Sequence, residues 1–398
     1  MNSNITQLSA IAAKKTRLII GLMSGTSLDG LDVALCKISG SGLSTKVDVL
    51  NFQTVPYSAA VKAGILAVFA KKKIDFQALC ELNASLGSLH GNMILKCLKK
   101  WKLSPGKIDI IASHGQTVYH SPKSITPNAR INSTLQVGDG DHLAVKTGII
   151  TISDFRQKHI AKGGEGAPLA VYGDYLLFSK RGEDRIMLNM GGIANFTYLP
   201  GSGDASKVFV TDTGPANTLL DQAVRHYKQD TPYDKNAALA SKGKYHPKLL
   251  EALMAHAFFK LSFPKTIGPE LFNMEYINDA QQASGTLELS LEDLLATLTI
   301  FSAATMAIAI KKVIKNKKSF RLFLSGGGAH NPLMIHWVKE FLPSVKFYSM
   351  KDLGFSGDAK EAVLFALLAN EALAGGKISY GMHSRVPTVS MGKISFPN

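Results

Sequence analysis

The chain has 398 residues, of which 45% are hydrophobic and 19% charged; this suits large cores, excludes a disordered chain, and fits two domains better than one. A formal net charge of +15 invites a nucleic-acid reading, but the cations are scattered or sit in short runs such as Lys71–Lys73 and Lys311–Lys318, with no RRM, KH or zinc-finger pattern, so a solvated basic surface is expected. Cys36, Cys80 and Cys97 form no CxxC pair, no apolar run reads as long enough to span a membrane, and residues 1–16 read as a loose arm, so a cytoplasmic protein without disulfides is expected.

In chain order, Arg17–Met23 and Leu31–Ile38 read as strands around a Gly/Ser turn. Ala59–Phe69 and Phe76–Trp101 carry apolar residues at helical spacing, among them Leu79, Leu82, Leu86 and Leu89. Pro105 and Gly106 break the chain before a buried strand, Ile108–Ala112. The opening theme then recurs: strand Arg185–Met190, turn Gly191–Gly192, strand Ile193–Leu199, and a short strand Val208–Val210. Ser290 with Asp293 forms a capping-box variant before an apolar stripe, Leu322–Leu324 is a strand, and Asn331–Pro332 starts a helix. Asp358–Leu373 is the last long helix. Strands alternate with helices, so the class is α/β, with a strand–glycine turn–strand core that appears twice.

Six polar motifs sit at strand or helix ends, where α/β folds bind ligands. GLMSGTSLDG at 21–30 offers bare backbone N–H groups and hydroxyls for phosphates, and Asp29 and Asp32 for Mg²⁺; a plain hairpin turn explains it as well. SHGQT at 113–117 faces a ligand or a neighbouring loop; metal binding by His114 and His120 is the weaker reading. Asp154 and Arg156, two apart on a strand, share one face, so they pair with each other or bind sugar hydroxyls and an anion; GGEGAP follows at 163–168. Asp212, before a Gly–Pro turn, is placed to accept a proton or to make an Asx-turn. SGGGAHN at 325–331 fits a nucleotide against the backbone, and Glu361, three after Asp358, fits a helix cap. Together these suit a duplicated kinase, whose chemistry needs positioning, a metal and one base.

The motif at 21–30 resembles the signature of the anhydro-N-acetylmuramic acid kinases. ASHGQT at 112–117, DFR at 154–156, GGEGAPL at 163–169, NMGGIANF at 189–196, DTGPAN at 212–217, GPELFN at 268–273 and SGGGAHN at 325–331 follow in the family's order. The resemblance implies a two-lobed actin-like (ribonuclease H-like) ATPase fold: an arm at 1–16, a first lobe at 17–147 with 376–398 packing back on it, and a second lobe at 148–375. It implies ATP and Mg²⁺ as cofactors and 1,6-anhydro-N-acetylmuramic acid as substrate, opened by water and phosphorylated on O6 in cell-wall recycling. It also implies a homodimer, with no nucleic-acid or membrane partner.

Carried over by position, Gly25, Thr26, Ser27, Leu28, Asp29, Gly30, Leu31 and Asp32 form the ATP-phosphate loop, with Asp29 toward the metal. Gly326, Gly327 and Gly328 lie by the nucleotide. Asp212 is the catalytic base and Glu361 an acidic residue near the attacking water. His114, Thr117, Asp154, Arg156 and Asn217 line the sugar. Ala216, Glu165 and Met190 depart from the family's more usual Gly, Gln and Ile, and segment 121–133 is long. Two other readings stay open: a kinase of the same superfamily acting on another sugar, and a non-catalytic nucleotide-binding regulator.

Overall fold

The computed structural model describes all residues except 1, 125, 127, 229–230, 268–270, 316–319, 355–356, 358, 377 and 381–385. Part of the GPELFN motif (268–270), the last lysines of the Lys311–Lys318 run and the helix-capping position Asp358 therefore lie outside the described residues. The chain forms two compact units, Met1–Phe178 with Asp358–Asn398, and Ser179–Gly357.

The first unit opens on helix α1 (Ser3–Ala13), capped by the Asn2 side chain. The expected loose arm is thus a helix. Ile11 is buried, and Arg17 Nε donates to its carbonyl at 3.0 Å, which ties the helix to the body of the unit. Strands β1 (Thr16–Ser24), β2 (Gly30–Ser39) and β3 (Lys46–Pro56) form an antiparallel meander. Helices α2 (Ala59–Val68) and α3 (Phe76–Lys100) follow. Strand β4 (Ile110–Ser121) runs parallel to β1, and β5 (Ser133–Val137) pairs back on β4. Helix α4 (Gly140–Thr147) leads to β6 (Thr151–Ser153), parallel to β4. Helices α5 (Phe155–Ala161) and α6 (Ala170–Phe178) complete the first passage through this unit.

The second unit starts with β7 (Asp184–Met190), β8 (Ile193–Leu199) and β9 (Phe209–Pro215), again an antiparallel meander. Helices α7 (Thr218–Tyr227), α8 (Pro247–Met254), α9 (Met274–Ser284) and α10 (Leu291–Ile314) follow. Strand β10 (Phe320–Ser325), helix α11 (Pro332–Phe341) and strand β11 (Phe347–Ser349) close it, with β10 parallel to both β7 and β11. The chain then returns to the first unit through α12 (Lys360–Ala374) and β12 (Lys393–Ser395), which pairs antiparallel with β6.

The two sheets carry one topology. The first runs β12-β6-β4-β1-β2-β3 and the second β11-β10-β7-β8-β9. In each, three meander strands are followed by two strands added in parallel beside the first. The repeated strand–glycine turn–strand unit in the sequence is the leading hairpin of each sheet.

The expected boundary at 147/148 moves to 178/179, and the return to the first unit moves from 376 to 358. The reason is pairing. β6 lies beyond residue 148 yet is hydrogen-bonded to β4, and α12 packs on β1 at a point that admits no side chain. A Cβ on Gly21 would lie 1.9 Å from the Ala362 carbonyl oxygen. Backbone cannot yield as a flexible side chain can, so Gly21→Ala is expected to destabilise the first unit by about 3 kcal/mol or more. A thermal melt of the purified variant checks this, and an unchanged midpoint would refute it.

Helix α10 corrects the reading that no run could span a membrane: its 24 residues are long and apolar enough. Most of it is buried in the core of the second unit, beside Phe258, Phe272 and Leu322. Ser290 caps it as expected by accepting from Asp293 N, whereas the Asp293 carboxylate turns to Lys244 N instead of closing the box. The three cysteines are free, Cys36 and Cys97 buried and Cys80 exposed.

Candidate active site

The site residues fall into two groups, one in each unit. In the first unit, the turn after β1 presents Thr26, Ser27 and Asp29 to solvent while Leu28 is buried beneath it. Leu28 takes φ +57°, and its N–H donates to Gly25 O at 3.3 Å, which curls the turn. Gly30 is required on steric grounds, because a Cβ there would lie 2.2 Å from the Val55 carbonyl oxygen. Asp32 points from β2 and accepts a hydrogen bond from Thr54 Oγ1 at 2.5 Å.

SHGQT does not follow the strand, as the sequence suggested, but lies inside it, since β4 continues to Ser121. Gly115 at φ +75° breaks the alternation. His114 packs its ring on Phe365 of α12, 4.7 Å between centroids. Its Nδ1 meets Gly115 O at 2.8 Å, and its Nε2 accepts from Arg156 Nε at 2.9 Å. The ring is therefore the neutral Nδ1–H tautomer. Burial, reinforced by the Arg156 charge, pushes its pKa well below the ordinary value. Thr117 Oγ1 accepts from Gln136 Nε2 at 3.2 Å.

Asp154 and Arg156 do not share a strand face. Asp154 sits at φ +55°, the residue before α5, and Arg156 is inside that helix. Nor do they pair: Asp154 meets Lys393 at 2.5 Å, while Arg156 Nη1 donates to Gly166 O at 2.6 Å. The guanidinium thus clamps β4 to the GGEGAP loop. That loop wraps the His159 ring, whose Nδ1 accepts from Gly166 N at 3.0 Å. A Cβ on Gly164 would lie 2.1 Å from the ring. His159 and Gln136 were not singled out in the sequence, since neither lies in a motif that suggests chemistry.

Glu361, in the first turn of α12, opens to solvent. The protein crowded around it still weakens its hydration and raises its pKa; Arg156 opposes that shift and Asp32 adds to it. Asp32, His114, Arg156 and Glu361 are thus one electrostatic cluster in the first unit.

In the second unit, Asp212 lies within β9, which runs further than the expected Val208–Val210. Segment 265–267 pins it: Asp212 N donates to Lys265 O at 2.9 Å, and Ile267 N donates to Asp212 Oδ2 at 2.8 Å. Burial raises the Asp212 carboxyl to about 6, against the pull of the Ile267 N–H and of Lys265. Lys265 is itself buried, with Nζ donating to Phe258 O at 2.9 Å and lying 4.1 Å from the Phe258 ring centroid. A carboxylate that ionises near neutral pH, with one oxygen oriented by an amide, has the character of a general base.

The glycine turn after β10 is built against β7. Gly326 takes φ +84°, and a Cβ there would lie 2.6 Å from Asn189 Oδ1; at Gly328 it would lie 2.9 Å from Met190 Cβ. Asn331 caps α11 by accepting from Met334 N, with Pro332 at the first position. Asn217 belongs to the second unit, whereas His114, Thr117, Asp154 and Arg156 belong to the first. Asn217 Nδ2 donates to the carbonyls of Met190 (3.2 Å) and Gly191 (2.8 Å). Beside it opens a cavity of about 450 Å³ lined by Asn217, Asp221, Tyr233, Asn236, Gly327 and His330. Asp221, raised to about 6 by burial, and Tyr233 were missed because they lie outside the glycine motif.

Two sheets built on the same five-strand order, each opening with a glycine-turn hairpin, define a duplicated ribonuclease H-like fold of the actin-like class. The anhydro-N-acetylmuramic acid kinase family model matches residues 17–383. The anhydro-N-acetylmuramic acid kinase of Pseudoalteromonas atlantica is 54% identical over 401 residues, covering 100% of both chains. The enzyme of that name from Caldanaerobacter subterraneus is 40% identical, covering 98% of this chain and 99% of its own. The chain belongs to this family. Among solved structures, the activator of a 2-hydroxyisocaproyl-CoA dehydratase from Clostridium difficile, with bound ADPNP, overlaps at TM-score 0.39 and 12% identity, over 89% of this chain and 95% of its own.

Proposed function

We propose that the protein uses ATP to open 1,6-anhydro-N-acetylmuramic acid with water and to phosphorylate O6, giving N-acetylmuramic acid 6-phosphate for cell-wall recycling. The observation that carries this reading is Asp212: a carboxylate held by the Ile267 N–H and raised to about 6, in a chain that belongs to a kinase family of that name. An ordinary sugar kinase deprotonates a hydroxyl; here the base serves water. Water adds to the anomeric carbon and gives its proton to Asp212. The C1–O6 bond breaks, O6 takes the γ-phosphoryl group, and ADP leaves. Capture of O6 by phosphorus replaces the acid that glycoside cleavage normally requires.

In the first unit, residues 25–32 receive the ATP phosphates, and His114, Thr117, Asp154, Arg156 and Glu361 serve the sugar. The half-buried, charged Arg156 suits the lactyl carboxylate, although part of its fork is already committed to His114 and Gly166. In the second unit, Gly326–Gly328 and Asn217 meet the nucleoside, and the adjoining cavity, with Tyr233 and Asn236, has room for a purine. Magnesium would neutralise charge on the transferring phosphates. The exposed Asp29 carboxylate fits a hydrated ion held chiefly by phosphate, as no cluster of three or more acidic, His or Cys side chains exists among the described residues. A cytoplasmic homodimer completes the proposal.

The test is mass spectrometry of the product from ATP, Mg²⁺ and the anhydro-sugar. A gain of one phosphate and one water is expected. Phosphate without water would overturn the coupled reaction in favour of an ordinary kinase.

A further inference from the structure

Ser24 ends β1 and opens the turn at 25–30. Its side chain and those of Gln116, His90 and Tyr57 are almost fully buried, at 1%, 0%, 0% and 5% exposure. Four polar groups shut away from water must satisfy one another. Gln116 Nε2 donates to Thr117 O at 3.1 Å, which fixes the amide, so its Oε1 can only accept. Ser24 Oγ lies 2.5 Å from that oxygen and 2.7 Å from Tyr57 Oη. A hydroxyl has one proton to give. Ser24 gives it to Gln116, so Tyr57 must donate to Ser24.

The Tyr57 oxygen must then accept from His90 Nε2, 2.8 Å away. This assigns the His90 proton to Nε2 and leaves Nδ1 bare. Nδ1 is the ring atom that has no hydrogen-bond partner. The four side chains therefore form a one-way donor chain, His90 to Tyr57 to Ser24 to Gln116, ending on the Thr117 carbonyl. Tyr57 has a second grip, because its backbone N–H donates to Asp29 O at 3.3 Å. One residue thus holds both ends of the turn, Ser24 through its hydroxyl and Asp29 through its amide.

We propose that Tyr57 is a positioning residue for ATP: with His90 behind it and Gln116 beyond, it staples the turn at 25–30 closed and fixes its register against β4. The inference rests on the reading of that turn as the ATP-phosphate loop. None of the three side chains need touch the nucleotide. The hydroxyl is what counts, since the Tyr57 ring already has its place in the core beside Ile65 and Leu86.

Tyr57→Phe keeps the ring and removes the link. In the full-length enzyme its KM for ATP is expected to rise about tenfold, the effect of one buried hydrogen bond, with the KM for the sugar within about twofold. Amide exchange of the peptide covering 24–30 is expected to quicken by a similar factor while exchange in α3 stays unchanged. His90→Gln, which can still donate to Tyr57, should lie closer to wild type than His90→Leu. A rise in both KM values together, or faster exchange throughout the unit, would mean a merely structural role and overturn the proposal. So would an unchanged ATP KM with unchanged exchange. If the wild type shows no ATP turnover, the loop assignment fails, and exchange at 24–30 alone decides whether the staple exists.

Discussion

Asp212→Asn is expected to lower sugar-dependent ADP release by roughly 10²- to 10⁴-fold, the range general-base catalysis contributes, without loss of fold. The amide retains an oxygen to accept from Ile267 N, so the pinning of segment 265–267 survives. Folding stability moves the other way from activity. The folded-state pKa of Asp212 is raised from 3.8 to about 6, so the folded protein holds this proton more tightly than the unfolded chain. That contribution to stability is fully present below the unfolded value and is lost as pH rises through about 6. At pH 7 the wild type therefore bears the cost of an ionised, poorly hydrated carboxylate, and asparagine removes it. A melting point for Asp212→Asn at pH 7 equal to or above that of the wild type is the expected result, together with the activity loss. The same pKa predicts that wild-type kcat/KM falls about tenfold per pH unit below about 6, as the base becomes protonated. Near-normal turnover by a folded, ATP-binding Asp212→Asn protein would sink the assignment. A pH profile flat down to 5 would sink it independently.

The sequence revealed those parts of the site that have a local signature. The turn at 21–30 and the triple glycine at 326–328 are legible because backbone that must curl or pass within 3 Å of a neighbour demands glycine, and glycine is visible. The duplication was visible for the same reason, as a glycine turn between two apolar runs. The sheet order behind it was not, because β4 beside β1 and β10 beside β7 are pairings between distant segments. Strands β3 and β5 escaped notice because half-exposed, polar-rich segments such as Lys46–Pro56 and Ser133–Val137 lack an apolar run. Asp154 misled through a period-two argument that holds only on a strand, and the left-handed backbone at that residue ends the strand first. The unit boundary was misplaced because a three-residue strand such as β6 is too short to read, yet its hydrogen bonds decide which sheet it joins. The polarity of the His90–Tyr57–Ser24–Gln116 chain spans residues 24–116 and leaves no local trace.

Arg156→Met is expected to have the second large effect, this time on fold and function together. Arg156 is the donor to two buried acceptors, His114 Nε2 and Gly166 O. Methionine fills similar space but leaves both atoms without their partner, at about 1–3 kcal/mol each. At about 2–4 °C per kcal/mol for a domain of this size, the melting point should fall by roughly 5–20 °C. Lysine would not restore it, because a point charge cannot reach both acceptors as the fork does. Function should suffer through charge as well. Arg156 lowers the pKa of both His114 and Glu361, so its loss lets both rise. Glu361 then keeps its proton to higher pH, and turnover should be lower by about 10² at pH 7 for a misplaced substrate group. The decisive comparison is the variant assayed below its own melting transition. If turnover there matches the wild type, Arg156 is only a clamp for the loop at 163–168 and not part of the sugar site.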